Sequence, residues 1–259
     1  MALVRALAIG LFILAIPVAL ITTNIRVAIS EQRAYDHAVR TYDADEASGI
    51  PESELLRANG EIKRYLTSGG DAPLLITVRN SGGEIEPLFN SEETTHMADV
   101  KDLVRTLFTV QVASVFLILT LAIMLAVWSP RTLARGALQG ALLTGGILLA
   151  AGVVAASGFD AAWTQFHQIA FTNDFWELNP RTDHLIQMFP EAFWQEITTL
   201  IVMATLLEAF LMVSASLIYL TLTRSPDAEL VPVPASAIGG PAGEPRAKLG
   251  PPEPRRLFR

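Results

Sequence analysis

Four long apolar stretches leave this chain few ways to fold, because hydrocarbon offers a backbone no water to bond and admits only helices or closed barrels. Residues 6–25 carry no charge, and 104–128, 136–157 and 197–222 are interrupted only by Arg105 and Glu208. About 20 apolar residues span a hydrocarbon core as a helix. With 51% hydrophobic and 17% charged residues, the composition also excludes an ordinary soluble domain. The expected fold is an all-α membrane bundle of four transmembrane helices, with a small α+β extracytoplasmic insertion between helices 1 and 2. A cleaved signal peptide is the rival reading of the first stretch, but the stretch is long for one and no A-x-A site follows it.

The pattern divides the chain into segments. Residues 1–26 make the first span and 27–90 the insertion. Within the insertion, SELLRANGEIKRYL places Leu55, Leu56, Ile62, Tyr65 and Leu66 on one side of a helix, and LLITV, NSGG, EIEPLF reads as a short hairpin. Residues 91–128 start polar and become the second span, with Asn90 and Glu93 spaced as a capping box. A turn at 129–135 precedes the third span, 136–157, whose glycines suit close helix packing. Residues 158–196 form a polar and aromatic loop, and 197–223 the fourth span. Residues 224–259 hold eight of the fifteen prolines and no apolar periodicity, which predicts a disordered cytoplasmic tail that could recruit a cytosolic partner.

Charge sets the expected orientation. Arg5, the 129–135 turn and the tail together hold nine basic and four acidic residues, against one basic and six acidic in 158–196. The positive-inside rule then places both termini in the cytoplasm and the polar segments on the extracytoplasmic side. There is no basic surface for nucleic acid. The absence of cysteine removes disulfides, thiolate metal ligands and a cysteine nucleophile.

That orientation brings His96, just before the second span, and His167, just after the third, to one membrane face. Imidazole titrates near pH 6.5 and is a good proton carrier at neutral pH. Glu93, His96 and Asp99 follow at i, i+3 and i+6 along one helix face; a solvated acidic helix start explains the carboxylates equally well. Asn173 and Asp174 can offer a donor and an acceptor to a polar group. Asp183 or Thr182 suits the cap of a following helix, and His37 and His184 read as solvated. Six aromatic residues, Phe171, Phe175, Trp176, Phe189, Phe193 and Trp194, suit an interfacial belt or the walls of an acyl pocket. Glu208, mid-span, is either functional or a protonated acid bonded to Gln139 or Thr144. No metal-binding signature is present, and no metal or cofactor is expected.

The stretches EETTHMADVKDL, 92–103, and FHQIAFTNDFWELNPRTDHLIQMFPEAFW, 166–194, each adjoining a span, resemble the bacterial four-span family that includes lipoprotein intramolecular transacylase. The resemblance covers about 1–224. It implies an enzyme of the bacterial cell membrane that moves the sn-2 acyl chain of a diacylglyceryl-cysteine onto the α-amino group of that cysteine. Its partners would be membrane lipids and diacylglyceryl-modified lipoproteins. The family's two essential histidines map onto His96 and His167, with Glu93, Asp99, Asn173, Asp174 and Trp176 shaping the site. The competing expectation is a non-enzymatic membrane receptor or transport-associated protein that binds lipid or peptide at the same face. A metal-dependent hydrolase is a third reading.

Overall fold

The computed structural model describes residues 2–156 and 158–224. The elements are α1 (Ala2–Ser30), α2 (Gln32–Thr41), α3 (Ala44–Ser48), α4 (Glu52–Thr67), β1 (Thr77–Arg79), β2 (Ile85–Pro87), α5 (Ser91–Trp128), α6 (Pro130–Ala156), α7 (Phe159–Ala170), α8 (His184–Met188) and α9 (Glu191–Leu222). Four of these, α1, α5, α6 and α9, are long and apolar enough to cross a membrane. The protein is a mostly helical, multi-pass membrane protein. The proline-rich 225–259 tail, and with it the expected disorder and cytosolic partner, lies outside the described residues.

Helix α1 packs against α5, α6 and α9. Its buried stripe, Ala8, Phe12, Ala15, Ile16 and Ala19, follows the helical repeat. Phe12 and Ile16 meet Leu121 and Leu125 of α5. Two of the α6 glycines make the contact with α1. A Cβ on Gly136 would lie 3.0 Å from Phe12, and one on Gly140 would lie 3.0 Å from Ile16 Cβ and 3.1 Å from the Ile13 carbonyl. Gly145, Gly146 and Gly152 face open space instead. Ile13 is the residue whose carbonyl Pro17 leaves without its helical N–H partner. Gly140 therefore sits where α1 departs from regular helical bonding.

Three expected boundaries move. The 129–135 turn is nearly all helix, with only Ser129 between α5 and α6, because Pro130 at a first helical position gives up an N–H that would have been unpaired anyway. Segment 158–196 is not one loop: α7 and α8 lie within it, and α9 begins at Glu191. Helix α1 runs on to Ser30. The partner of Glu208 also differs from expectation. Asn24 of α1 donates to Glu208 Oε2 at 2.9 Å and to Thr205 Oγ1 at 3.1 Å, while Thr144 bonds the Gly140 carbonyl in its own helix.

Between α1 and α5 the chain folds into α2–α4 and the antiparallel pair β1–β2, with Thr77 opposite Pro87 and Arg79 opposite Ile85. Gly83, at φ 87°, closes the turn between them, a conformation that favours glycine. Leu55, Ile62 and Leu66 of α4 are buried as the spacing predicts. They share one core with Val78, Leu88, Met97 of α5, Leu185, Met188 and Phe189 of the α8 region, and Phe193 of α9. Phe189 and Phe193 are thus core residues and not an interfacial belt. This shared core holds the polar start of α5 against the segment that follows α7.

Candidate functional site

The site begins with the cap of α5. The Asn90 side chain accepts from Glu92 N and Glu93 N, and Glu93 Oε2 accepts from Asn90 N at 2.8 Å, which completes the capping box. The other Glu93 oxygen accepts from Leu185 N at 2.7 Å in α8. Glu93 is 1% exposed, and burial raises its carboxyl above the usual range against the opposing pull of these two amides. One carboxylate therefore fastens the α5 start to α8. It makes no bond to His96, so any influence on that ring is through the frame.

One turn on, His96 points into the junction with α7. His167 reaches it from the last turn of α7, whose end is closed by the bond from Phe171 N to the His167 carbonyl at 2.9 Å. The ring centres lie 5.9 Å apart with a 36° tilt, and each residue is 7% exposed. Both belong to the polar part of the structure, since His96 precedes the apolar stretch of α5 at 104–128 and α7 is not among the spans.

Aromatic rings enclose the pair. Phe171 meets His96 edge-on at 5.0 Å and His167 at 5.6 Å, and Trp176 stacks on His167 at 5.0 Å. Trp163, one turn before His167, meets it edge-on at 4.6 Å and stacks on Trp194 of α9 at 5.1 Å. Trp163 was not among the residues expected from sequence. Its signal is nonetheless there, in the helical spacing of Phe159, Trp163, Phe166 and Ala170.

The two rings are not equivalent. His167 Nδ1 lies 2.8 Å from the Trp163 carbonyl. A carbonyl only accepts, so Nδ1 carries the proton and Nε2 keeps a lone pair. His96 Nδ1 is buried without any hydrogen-bond partner. Burial, together with the His167 charge, pushes His96 down to about 4 despite the opposing pull of Asp99. Burial lowers His167 as well, and the Trp163 carbonyl opposes that shift. Both rings are therefore neutral at neutral pH and can accept a proton.

The remaining expected residues fall at different distances from the pair. Asp99 Oδ2 accepts from Asn173 Nδ2 at 2.9 Å, and Asn173 Oδ1 accepts from Phe175 N at 3.2 Å, so these two tie the loop after α7 to α5. Asp174 is exposed and its side chain makes no hydrogen bond among the described residues. Asp183 precedes α8 without capping it. Instead its carboxylate accepts from Asn179 N at 2.6 Å and Asn90 Nδ2 at 3.2 Å. His37 sits apart, bonded to Glu196 at 3.0 Å, and His184 bonds Gln187 at 2.9 Å. Among the described residues no group of three or more His, Asp or Glu side chains is placed as metal ligands would be.

The model of a family described as lipoprotein intramolecular transacylase Lit matches residues 10–194. The fold is similar to the in meso structure of the membrane integral lipoprotein intramolecular transacylase Lit from Bacillus cereus, with TM-score 0.74 and 18% identity over 86% of this chain and 98% of that one. A variant of the same Bacillus cereus protein with a histidine replaced by arginine gives TM-score 0.68 and 18% identity over 85% and 94%. No curated protein sequence matches the chain.

Proposed function

The chain belongs to the lipoprotein intramolecular transacylase Lit family, and from that membership we propose that it is a membrane acyltransferase acting on the diacylglyceryl-cysteine N-terminus of lipoproteins. It transfers the sn-2 acyl chain from glycerol to the α-amino group of the same cysteine. The observation that carries this reading is the 5.9 Å separation of the His96 and His167 rings, which lets both reach one ester. The site faces the extracytoplasmic side, with both chain termini in the cytoplasm.

An α-amino group titrates near 7.7–8.0 and must lose a proton before it attacks. His167 takes that proton on Nε2, the nitrogen that the Trp163 bond leaves with a lone pair. The amine nitrogen then bonds to the ester carbonyl carbon and the bond to the glycerol oxygen breaks; the proton held on His167 passes through His96 to that oxygen, and the second proton that the nitrogen loses leaves through His167 to water. Net transfer leaves an amide, a free hydroxyl and neutral imidazoles. Because nucleophile and ester belong to one molecule, holding them together supplies much of the rate, and no enzyme nucleophile is needed. Asp99 and Asn173 fix the loop that walls the site, Trp176 packs on the base, and Glu93 holds the frame. Asp174, exposed beside them, meets the polar part of the substrate.

Mass spectrometry of the N-terminal peptide of a co-expressed lipoprotein tests the reading. The expected product keeps the mass of the diacyl form but carries one chain on nitrogen. His96→Gln and His167→Gln should each lower its formation by about 100-fold or more, the usual scale of acid–base catalysis. An unmodified amine in the presence of well-expressed native protein would refute it.

A further inference from the structure

Away from the histidine pair, α1 and α5 leave an open furrow of about 580 Å³ lined by Arg26, Phe108, Thr109, Val112, Ala113 and Phe116. Phe108, Val112 and Phe116 recur every four residues and make an apolar strip about 12 Å long at 1.5 Å per residue. At about 100° per residue the strip is centred on the side of α5 opposite His96, and it starts about 18 Å further along the helix. The ester that reacts at the histidines therefore does not lie in it. Phe116 is 72% exposed, as a side chain facing lipid would be.

Arg26 stands at one end of the strip, where the apolar stretch of α1 finishes. Its guanidinium is oriented but not neutralised. It donates to Gln111 Oε1 at 2.9 Å, Gln111 Nε2 in turn donates to Thr23 Oγ1 at 3.3 Å, and the guanidinium carbon lies 4.6 Å from the centre of the Phe108 ring. Among the described residues no carboxylate pairs with it. A guanidinium has five N–H donors and prefers the two oxygens of a phosphate. An unpaired cation beside hydrocarbon is costly, and an anion at its edge removes that cost.

We propose that this furrow binds a single anionic phospholipid of the leaflet on the histidine side, with its phosphodiester on Arg26 and one acyl chain along Phe108, Val112 and Phe116. A fixed positive charge at the head of an apolar strip matches a negative charge at the head of a chain. A net-anionic headgroup satisfies Arg26 without bringing in a second cation, which favours it over a zwitterionic one. The site is separate from acyl transfer and does not depend on it.

The test is native mass spectrometry of the full chain released from nanodiscs of equal phosphatidylglycerol and phosphatidylcholine. The native protein should retain phosphatidylglycerol over phosphatidylcholine by about fivefold or more, the effect of one basic residue on an anionic lipid. Arg26→Gln should abolish the preference. Val112→Trp, which fills the furrow and leaves the charge, should reduce retention of both lipids and covers the case in which loss of Arg26 prevents folding. Equal retention of the two lipids by the native protein, an undiminished preference in Arg26→Gln, or undiminished retention in Val112→Trp would overturn the proposal. Displacement of the retained lipid by inorganic phosphate alone would overturn the role of the strip.

Discussion

A buried imidazole nitrogen without a partner, as at His96 Nδ1, costs stability that a polar group of a bound substrate can restore. The same burial makes the protein sensitive to acid. His96 titrates near 4 in the fold and near 6.5 unfolded, so between these values the unfolded chain binds the extra proton and stability falls as pH falls. That window represents about 3 kcal/mol. Glu93 is shifted upward and works in the opposite direction just above its ordinary value, which the comparison must separate. Above pH 7 the difference in unfolding midpoint between the native protein and His96→Gln should therefore not change with pH. From pH 6.5 to 4 the native midpoint should fall more steeply than that of His96→Gln, and parallel profiles would argue against the depressed value. Sequence spacing located this pair, because a cap box, a helix face and a charge count are local signals. It did not locate Trp163, whose role depends on the stacking of α7 against Trp194.

At the scale of the element, the α1–α6 contact depends on which glycine faces a neighbour. Gly140→Ala places a methyl group against the Ile16 Cβ and the Ile13 carbonyl, neither of which is a flexible chain end. It should destabilise the protein by about 1–3 kcal/mol, as overpacking does. Gly145→Ala meets open space and should be neutral or mildly stabilising through helix propensity. Unfolding both variants in one detergent measures the difference, and equal midpoints would refute the asymmetry. The sequence displayed a glycine-rich helix but not which glycines pack, since that follows from the register between α1 and α6. The Asn24–Glu208 bond was out of reach for the same reason: its two residues lie on different helices, 184 positions apart. Phe189 and Phe193 looked like belt residues because the core that buries them comes from the insertion.

For the whole molecule, α1 to α5 and α6 to α9 form two pairs of spans, each with a polar excursion that contributes one member of the His96–His167 pair. The proposed orientation is testable because the chain has no native cysteine. Glu46→Cys in α3's excursion and Ala161→Cys in α7, both exposed, should react with an impermeant maleimide added to the outside of intact cells. Ser129→Cys, between α5 and α6, should react only after the membrane is opened. Labelling of Ser129→Cys together with the other two would invert or break the assignment. The number of spans was legible from apolar length, whereas the detailed packing where the two excursions meet was not, because it is made by contacts between distant segments.

The bond between Glu93 and Leu185 joins residues 92 positions apart. At about 5–20 residues per second, a ribosome delivers the second roughly 5–20 s after the first. Through that interval the newly made α5 has no α8 amide to offer Glu93, and its histidine has no companion. The proposed histidine site is thus complete only after α7 and α8 have been made, and a chain that has delivered only α1 to α5 holds one half of it.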